Sequence, residues 1–294
     1  MIENNFVSQI PIRKGWSCDK KFCVTAERGE KYLLRITPFD KSASRGDMFR
    51  MQQEVAALGI PMCRPMEIGE CEEGVYVLQS WIDGEDAEEI IPGFSETEQY
   101  RYGLEAGRIL KKIHSIPAPA TQEAWEPRFN RKMDRKIQLY NECPIHYEGG
   151  QAFIDYINEN RHLLKNRPQV FQHGDYHIGN MMIDREGQLQ IIDFDRYDYG
   201  DPWEEFNRIV WCAQKAPVFA SGMVDGYFDS RVPKEFWTLL ALYIASNTLS
   251  SIYWAIPFGD EEIRTMKNQA EEVLAWYDNM QKTIPSWYCG DERK

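Results

Sequence analysis

The sequence lacks any uninterrupted apolar run near the roughly eighteen residues that a membrane-spanning helix needs. Its first residues, MIENNFVSQIPIRK, lack the basic-then-apolar pattern of a secretory leader. Positive charge is also scarce, because 34 lysines and arginines face 46 acidic residues and give a formal net charge of −12. We therefore expect a cytoplasmic protein that binds neither nucleic acid nor membrane, since both attract basic proteins.

Cysteine pairs at short spacings are missing as well. The seven cysteines are scattered along the chain, at positions 18, 23, 63, 71, 143, 212 and 289. An odd and scattered set fits reduced thiols better than a disulfide framework or a zinc site. With 294 residues, of which 43% are hydrophobic and 13% aromatic, the chain is long enough for one large domain or two lobes.

The segment 170–205 carries the polar side chains with the most informative arrangement. It reads VFQHGDYHIGNMMIDREGQLQIIDFDRYDYGDPWEE. Short apolar runs on both sides of the turn DREG predict a hairpin that has acidic residues at its ends. The oxygen-bearing side chains that this hairpin would bring together are Asp175, Asn180 and Asp193.

These three side chains suit phosphoryl transfer. The reaction needs a carboxylate that orients and deprotonates the attacking hydroxyl, and Mg²⁺ that neutralises phosphate charge. Mg²⁺ prefers oxygen ligands and usually takes only one or two from the protein. Asn180 follows Asp175 by five residues and Asp193 follows it by eighteen. This is the spacing of the catalytic aspartate and the metal-binding residues in the kinase template.

Two other interpretations of this segment stay open. His173, Asp175 and His177 could form a transition-metal cluster, which would indicate a metal-dependent hydrolase. No third histidine or cysteine follows at a ligand-like interval, however, and Asn180 and Asp193 would then have no role. Alternatively, the acids could only cap a polar turn between strands. We expect His173 to hold the loop by hydrogen bonds, and we leave His177 unassigned.

The pattern His-x-Asp-x-x-x-x-Asn followed by Ile-Asp-Phe-Asp resembles the aminoglycoside phosphotransferase and choline kinase families. The resemblance implies an α+β, bilobal, protein-kinase-like fold. A small antiparallel β-sheet lobe with one helix would span residues 1–79, a hinge 80–84, and a mostly helical lobe 85–294. It also implies that Asp175 is the catalytic residue, that Asn180 and Asp193 bind Mg²⁺, and that ATP or GTP is the phosphoryl donor. Protein kinases would instead show His-Arg-Asp, Asp-Phe-Gly and Ala-Pro-Glu.

The resemblance implies further nucleotide contacts in the first lobe. Residues 15–36 predict two strands joined near 27–30, after a turn that would close over the phosphates through Gly15 and Ser17. On the second strand, Arg35 stands where the family has a phosphate-binding cation; a simple exposed strand arginine is the alternative.

The next two elements bear on the same nucleotide site. A helix is predicted from Met48 to Leu58, but the glutamate with which kinases fix the strand cation is replaced by Met48. The acid that pairs with the strand arginine therefore stays open. A strand from residue 74 then leads into the hinge, where we expect adenine to lie against Ser80, Trp81 and Ile82.

The remaining sequence predicts helices. Ser95-Glu96-Thr97-Glu98 is a capping box, and apolar stripes at helical intervals follow it. After Gly200, Asp201 is expected to cap a helix or to help recognise substrate. The possible substrate-binding residues are Asp201, Glu204, Glu205 and Trp254, although core packing explains the aromatic residue equally well.

We therefore expect a small-molecule kinase that phosphorylates a hydroxyl of a small acceptor. The acidic composition favours a cationic acceptor of the aminoglycoside type. Kinases of choline or ethanolamine, methylthioribose, homoserine or macrolides are alternatives, because a fold does not fix a substrate. A nucleotide-binding pseudokinase is a further alternative, supported only by the missing helix glutamate. The sequence leaves the oligomeric state open.

Overall fold

The computed structural model describes residues 6–13 and 17–290. The chain forms two compact units, Met1–Ala87 with Asn180–Asp195, and Glu88–Gly179 with Arg196–Lys294. The strands are β1 Phe6–Ile12, β2 Lys20–Ala26, β3 Lys31–Thr37, β4 Pro65–Cys71, β5 Gly74–Ser80, β6 Gly84–Asp86, β7 Val170–Gln172, β8 Met181–Asp184, β9 Leu189–Ile191 and β10 Asp198–Gly200. The helices are α1 Arg45–Ala57, α2 Ala87–Ile90, α3 Glu96–Ile113, α4 Trp125–Glu142, α5 Gly150–Asn160, α6 Ile209–Lys215, α7 Pro217–Phe228, α8 Lys234–Ala255 and α9 Asp260–Trp276.

The first unit contains a five-stranded antiparallel sheet in the order β1-β2-β3-β5-β4. The predicted strand pair before residue 37 and the predicted helix α1 are confirmed. Strand β1 was not predicted, because its side chains alternate poorly and Val7 and Ile10 point outward, 65% and 61% exposed. As an edge strand, β1 also tolerates Pro11.

Strand β3 is buried on both faces at its end. Leu34 and Ile36 belong to the apolar core of the sheet, together with Val24 and Leu78. Since successive side chains of a strand point to opposite faces, Arg35 lies on the other face and is only 6% exposed. The alternative of an exposed strand arginine is therefore wrong.

A second sheet of the first unit has the order β6-β8-β9 and is antiparallel. Its β8–β9 pair is the predicted hairpin. Asp184 fixes the turn, because its Oδ1 accepts the N–H groups of Glu186 and Gln188 at 3.0 and 2.8 Å.

The second unit is mostly helical, as predicted, apart from the short antiparallel pair β7–β10. The predicted capping box is present at the start of α3: Ser95 Oγ accepts the N–H of Glu98, and the carboxylate of Glu98 accepts the N–H of Ser95. Helices α3 and α7 approach closely at glycines. A Cβ added to Gly103 or Gly107 would lie 2.2 or 2.1 Å from a main-chain oxygen of α7.

Helix α8 lies in the core of this unit. By length and composition alone, Lys234–Phe258 could cross a membrane, although its apolar residues do not form one uninterrupted run. However, 67% of its most apolar window is buried inside the protein. We interpret α8 as a core helix.

Candidate functional site

The hairpin β8–β9 brings Asn180 and Asp193 to the same end of the second sheet. The N–H of Ile192 donates to the main-chain oxygen of Asn180 at 3.0 Å. Asp193 follows directly, with a positive φ of 66° and a side chain that is 44% exposed. An amide oxygen and a partly exposed carboxylate are ligands of the kind that Mg²⁺ prefers, so these residues fit the predicted metal.

Arg35 has three carboxylate partners within the first unit. Its Nε and Nη2 donate to Asp19 Oδ2 at 3.2 and 2.9 Å, its Nη1 lies 3.5 Å from Asp193 Oδ1, and its Nη2 also donates to Asp195. Burial alone would lower the pKa of Arg35, but the charges of the three carboxylates raise it. The acids left open by the sequence are therefore Asp195, Asp193 and Asp19, and Asp19, the residue before β2, accepts two hydrogen bonds from the guanidinium.

Helix α1 contributes a cation to this cluster in place of the expected glutamate. Arg45 donates to Asp19 Oδ2 at 2.6 Å and to Asp195 Oδ1 at 3.3 Å. Thr37, on the same face of β3 as Arg35, donates to Asp19 Oδ1 at 2.9 Å. The charge that the helix contributes is therefore opposite to the expected one. Helix α1 supplies a cation, Arg45, and the residue before β2, Asp19, supplies the acid.

The other predicted nucleotide contacts are placed as follows. Gly15 lies outside the described residues, and Ser17 is exposed. Ser80 is engaged by the loop before β4, since its N–H donates to the oxygen of Arg64 at 2.9 Å and its Oγ accepts the N–H of Arg64 at 2.8 Å. Trp81 and Ile82 are half-buried. Their contact with adenine stays a prediction.

In the second unit, the loop 173–177 is fixed by buried hydrogen bonds. His173 is fully buried, and its Nδ1 accepts the N–H of Asp175 at 3.3 Å, as expected for a structural histidine. Gly174 has φ +85°, and a Cβ there would lie 1.8 Å from the main-chain oxygen of Arg196. Only glycine fits this position. The N–H of Gly174 donates to both carboxylate oxygens of the buried Glu205, at 3.0 and 3.2 Å.

Asp175 lies beside two arginines and a histidine. Arg208 Nε lies 3.2 Å from Asp175 Oδ1, Arg196 Nη1 lies 3.9 Å from Oδ2, and His177 Nε2 lies 3.7 Å from Oδ1. Burial alone would raise the pKa of Asp175, but the hydrogen bond of His177 and the charge of Arg208 lower it well below its ordinary value. Asp175 is therefore a carboxylate at neutral pH.

Asp201 has a structural position. Its side chain is fully buried and accepts from Arg167 Nε at 2.6 Å, from the hydroxyl of Tyr243 at 2.5 Å and from the N–H of Trp203 at 3.0 Å. The last bond stays within the turn before the helical segment Glu204–Arg208, whose N-cap is Trp203 without a side-chain capping bond, so the predicted capping of a helix by Asp201 is wrong. Since no part of the carboxylate reaches solvent, we do not retain Asp201 as a substrate contact.

The remaining candidates lie at different depths. Glu205 is 2% exposed and holds the loop 173–177, so we assign it to positioning as well. Glu204 is partly exposed and lies 3.3 Å from Lys132 Nζ. Trp254 is 40% exposed and packs against Phe258, with ring centroids 4.7 Å apart and ring planes tilted by 38°. A role of Glu204 or Trp254 in substrate binding stays a prediction.

The transition-metal interpretation finds no support within the described ranges. Over residues 6–13 and 17–290, no group of three or more histidine, cysteine, aspartate or glutamate side chains could hold a metal ion. His173 Nδ1 instead accepts the N–H of Asp175. All seven cysteines are free, as expected.

Sequence reasoning missed Asp19, Arg45, Asp195 and Arg208. Asp195 is the last residue of the recognised Ile-Asp-Phe-Asp motif and could have been found there. The other three have no local pattern, because each acquires its role from a partner at least sixteen residues away. Only the fold makes these pairs visible.

Comparison with known proteins supports the family expected from the motifs. Residues 8–236 match the model of the phosphotransferase enzyme family, APH. Comparison with curated proteins gives no match.

Solved structures with a similar fold include two aminoglycoside phosphotransferases and a choline/ethanolamine kinase family protein. A thermostable mutant of aminoglycoside phosphotransferase APH(4)-Ia, in complex with ADP and hygromycin B, is 17% identical with a TM-score of 0.65, covering 93% of this chain and 96% of that one. Aminoglycoside 2′-phosphotransferase-IIIa bound to GDP is 13% identical with a TM-score of 0.71, covering 96% of each chain. A choline/ethanolamine kinase family protein from Mesorhizobium loti is 15% identical with a TM-score of 0.67, covering 95% and 92%. The predicted protein-kinase-like fold is confirmed.

Proposed function

This chain belongs to the phosphotransferase enzyme family, and from that premise we propose that it transfers the γ-phosphoryl group of ATP or GTP to a hydroxyl of a small acceptor. The observation that supports this most strongly is the occurrence of both motifs in their expected elements. Asp175 stands in a glycine-containing loop held by buried bonds, and Asn180 and Asp193 stand together at one end of a hairpin. Neighbouring structures were solved with ADP and with GDP.

The proposed chemistry needs little covalent participation by the protein. The hydroxyl oxygen of the acceptor attacks the γ-phosphorus, its proton passes to Asp175, and the bond from the γ-phosphorus to the bridging oxygen breaks to release the nucleoside diphosphate. Because the pKa of Asp175 is strongly lowered, its first task is to orient the hydroxyl. It accepts the proton only as the new phosphorus–oxygen bond forms.

The remaining roles follow from donor chemistry. Asn180 and Asp193 would hold Mg²⁺, which supplies charge neutralisation on the phosphates when bound. Arg35 would contribute positive charge to the same phosphates. Its Nε and Nη2 are fixed by Asp19, so its Nη1, 3.5 Å from Asp193, is the part of the guanidinium turned toward the metal ligand.

The acceptor is defined less closely than the reaction. The sequence favours a cationic acceptor of the aminoglycoside type, and one neighbour was solved with spectinomycin and another with hygromycin B. The choline/ethanolamine kinase family neighbour supports an amino alcohol as a second candidate. An acceptor screen with both ATP and GTP separates these candidates and also tests the pseudokinase alternative, which predicts nucleotide binding without turnover.

Two variants test the residue roles. Asp175→Asn should lower kcat on the order of 10²-fold or more while nucleotide binding survives, because a positioned general base typically contributes that much. Asp193→Ala should abolish Mg²⁺-dependent nucleotide binding in a calorimetric titration. Asp47→Asn, at an exposed position of α1, is a control that should change neither quantity. Normal turnover by Asp175→Asn would show that the base is another group.

A further inference from the structure

Helix α4 presents a row of cations toward residues 198–204, which follow the hairpin β8–β9. Arg128, Lys132 and Lys136 are spaced by four residues and therefore share one face of α4. Arg128 is paired with Asp198, and Lys132 Nζ lies 3.3 Å from Glu204 Oε1.

Lys136 differs from the other two members of the row. No ion pair of Lys136 occurs in the part of the chain that the structure describes. It is half-buried, and the charge of Glu204, which would raise its pKa, belongs to a carboxylate already bonded to Lys132. Burial, followed by the charges of Lys132 and Arg208, lowers the pKa of Lys136 to about 7.

This row is continuous with the surroundings of Asp175. The charge of Arg208 lowers the pKa of Lys136, and Arg208 Nε also lies 3.2 Å from Asp175 Oδ1. The cations of this region of the second unit are Arg128, Lys132, Lys136, Arg196 and Arg208, and the acids bonded to them are Asp175, Asp198 and Glu204. With the buried Glu205, which accepts the N–H of Gly174, these groups number five cations and four acids, in a chain whose formal net charge is −12.

We propose that Lys136 and Arg208 bind an oxyanion, a carboxylate or a phosphate monoester, on the acceptor whose hydroxyl is directed at Asp175. This inference rests on the proposed phosphoryl transfer and narrows its substrate class. An oxyanion offers the charge partner that Lys136 lacks, and a guanidinium is well suited to bind carboxylate or phosphate. The acceptor class therefore differs from the cationic one that whole-chain charge favours, because the charge near Asp175 has the opposite sign.

The direct test uses simple anions and does not require the acceptor to be known. Protein labelled with ¹³C-lysine is titrated by NMR with acetate in one arm and inorganic phosphate in the other, in the presence of Mg²⁺ and a non-hydrolysable ATP analogue that fills the nucleotide's own phosphate positions. We expect a saturable shift of the Lys136 resonance and a rise of its pKa from about 7. The arm with the tighter binding identifies carboxylate or phosphate. A Lys136 resonance that does not respond to either anion overturns the proposal.

Variants on the same helix provide the matched comparison. In calorimetric titrations with the same anions, Lys136→Met should abolish anion binding, Lys136→Arg should keep it, and Arg135→Met, at an exposed position of α4, should leave it unchanged. With acceptors matched in scaffold (gluconate, glucose 6-phosphate, glucose and glucosamine), Lys136→Met should raise the KM of an anionic acceptor on the order of 10-fold, as expected for loss of a charge-assisted hydrogen bond.

The outcomes separate this inference from the function on which it rests. Two results would overturn the anion site and leave the proposed phosphoryl transfer intact. One is turnover of glucosamine in preference to gluconate and glucose 6-phosphate. The other is a higher nucleotide Kd in Lys136→Met with an unchanged acceptor KM. Absence of Mg²⁺-dependent nucleotide binding by the unaltered protein would instead refute the proposed function itself.

Discussion

The replacement Asp19→Asn tests the reversed ion cluster of the first unit. Asp19 Oδ2 accepts from Arg35 at 3.2 and 2.9 Å and from Arg45 at 2.6 Å, and Oδ1 accepts from Thr37 at 2.9 Å. The side chains of Asp19, Arg35 and Arg45 are 0%, 8% and 11% exposed, so solvent screens these bonds little. Removing one partner of a buried pair typically costs about 3–5 kcal/mol. Because Asp195 remains bonded to both arginines, we expect a loss at the lower end, about 3 kcal/mol.

Urea unfolding of the wild-type and variant proteins measures this loss. Asp47→Asn is the matched control, since its pair with Arg50 joins side chains that are 62% and 73% exposed and such surface pairs contribute about 0–1 kcal/mol. A loss of less than about 1 kcal/mol in Asp19→Asn, equal to that of the control, would refute the reasoning.

Acid unfolding gives a second readout of the same carboxylate. Burial alone would raise the pKa of Asp19, but the charges of Arg35 and Arg45 hold it below its ordinary value. The stabilisation is therefore present above the unfolded-state pKa, about 3.9, and is lost as pH falls through the lower folded-state value. Asp19→Asn should lack this acid-dependent step. An unchanged acid transition in the variant would contradict the assignment.

Three further predictions follow from the second unit. Gly107→Ala should destabilise the protein by about 1–3 kcal/mol, since its Cβ would lie 2.1 Å from a main-chain oxygen of α7. Gly46→Ala, with open space around its Cβ in α1, is the control and should be neutral or stabilising in the same unfolding assay. Glu205→Gln should lower kcat on the order of 10-fold, because Glu205 holds the N–H of Gly174, and should leave the nucleotide Kd unchanged; equal loss of both would indicate a general folding defect. The kcat/KM of an anionic acceptor should fall as pH rises through about 7, because Lys136, which faces Lys132, Glu204 and Arg208, loses its proton there; a flat profile would contradict the anion site.

The hairpin and its motif were predictable because their causes are local. Apolar runs, a turn sequence and fixed spacings are sufficient to indicate β8, β9 and the order of Asp175, Asn180 and Asp193 along the chain. The capping box of α3 was predictable for the same reason, since Ser95 and Glu98 need only each other.

The ion cluster was not predictable because its members meet only in the folded chain. The sequence located the expected glutamate position at Met48, but the partners of Arg35 come from the residue before β2 and from the segment after β9. The net charge of −12 likewise concealed the cations beside Asp175, because a sum over the chain does not report how charge is distributed. Long-range pairing therefore limits what a single sequence reveals.

The central claim is tested most directly by following the fate of the γ-phosphoryl group. The protein is incubated with Mg²⁺, ATP or GTP and the matched hydroxyl acceptors, and the products are identified by ³¹P NMR. The account predicts a phosphate ester on an acceptor oxygen, formed on the order of 10²-fold more slowly by Asp175→Asn. Phosphate ester formation at the same rate by Asp175→Asn, or hydrolysis to inorganic phosphate with no ester from any acceptor, would contradict it.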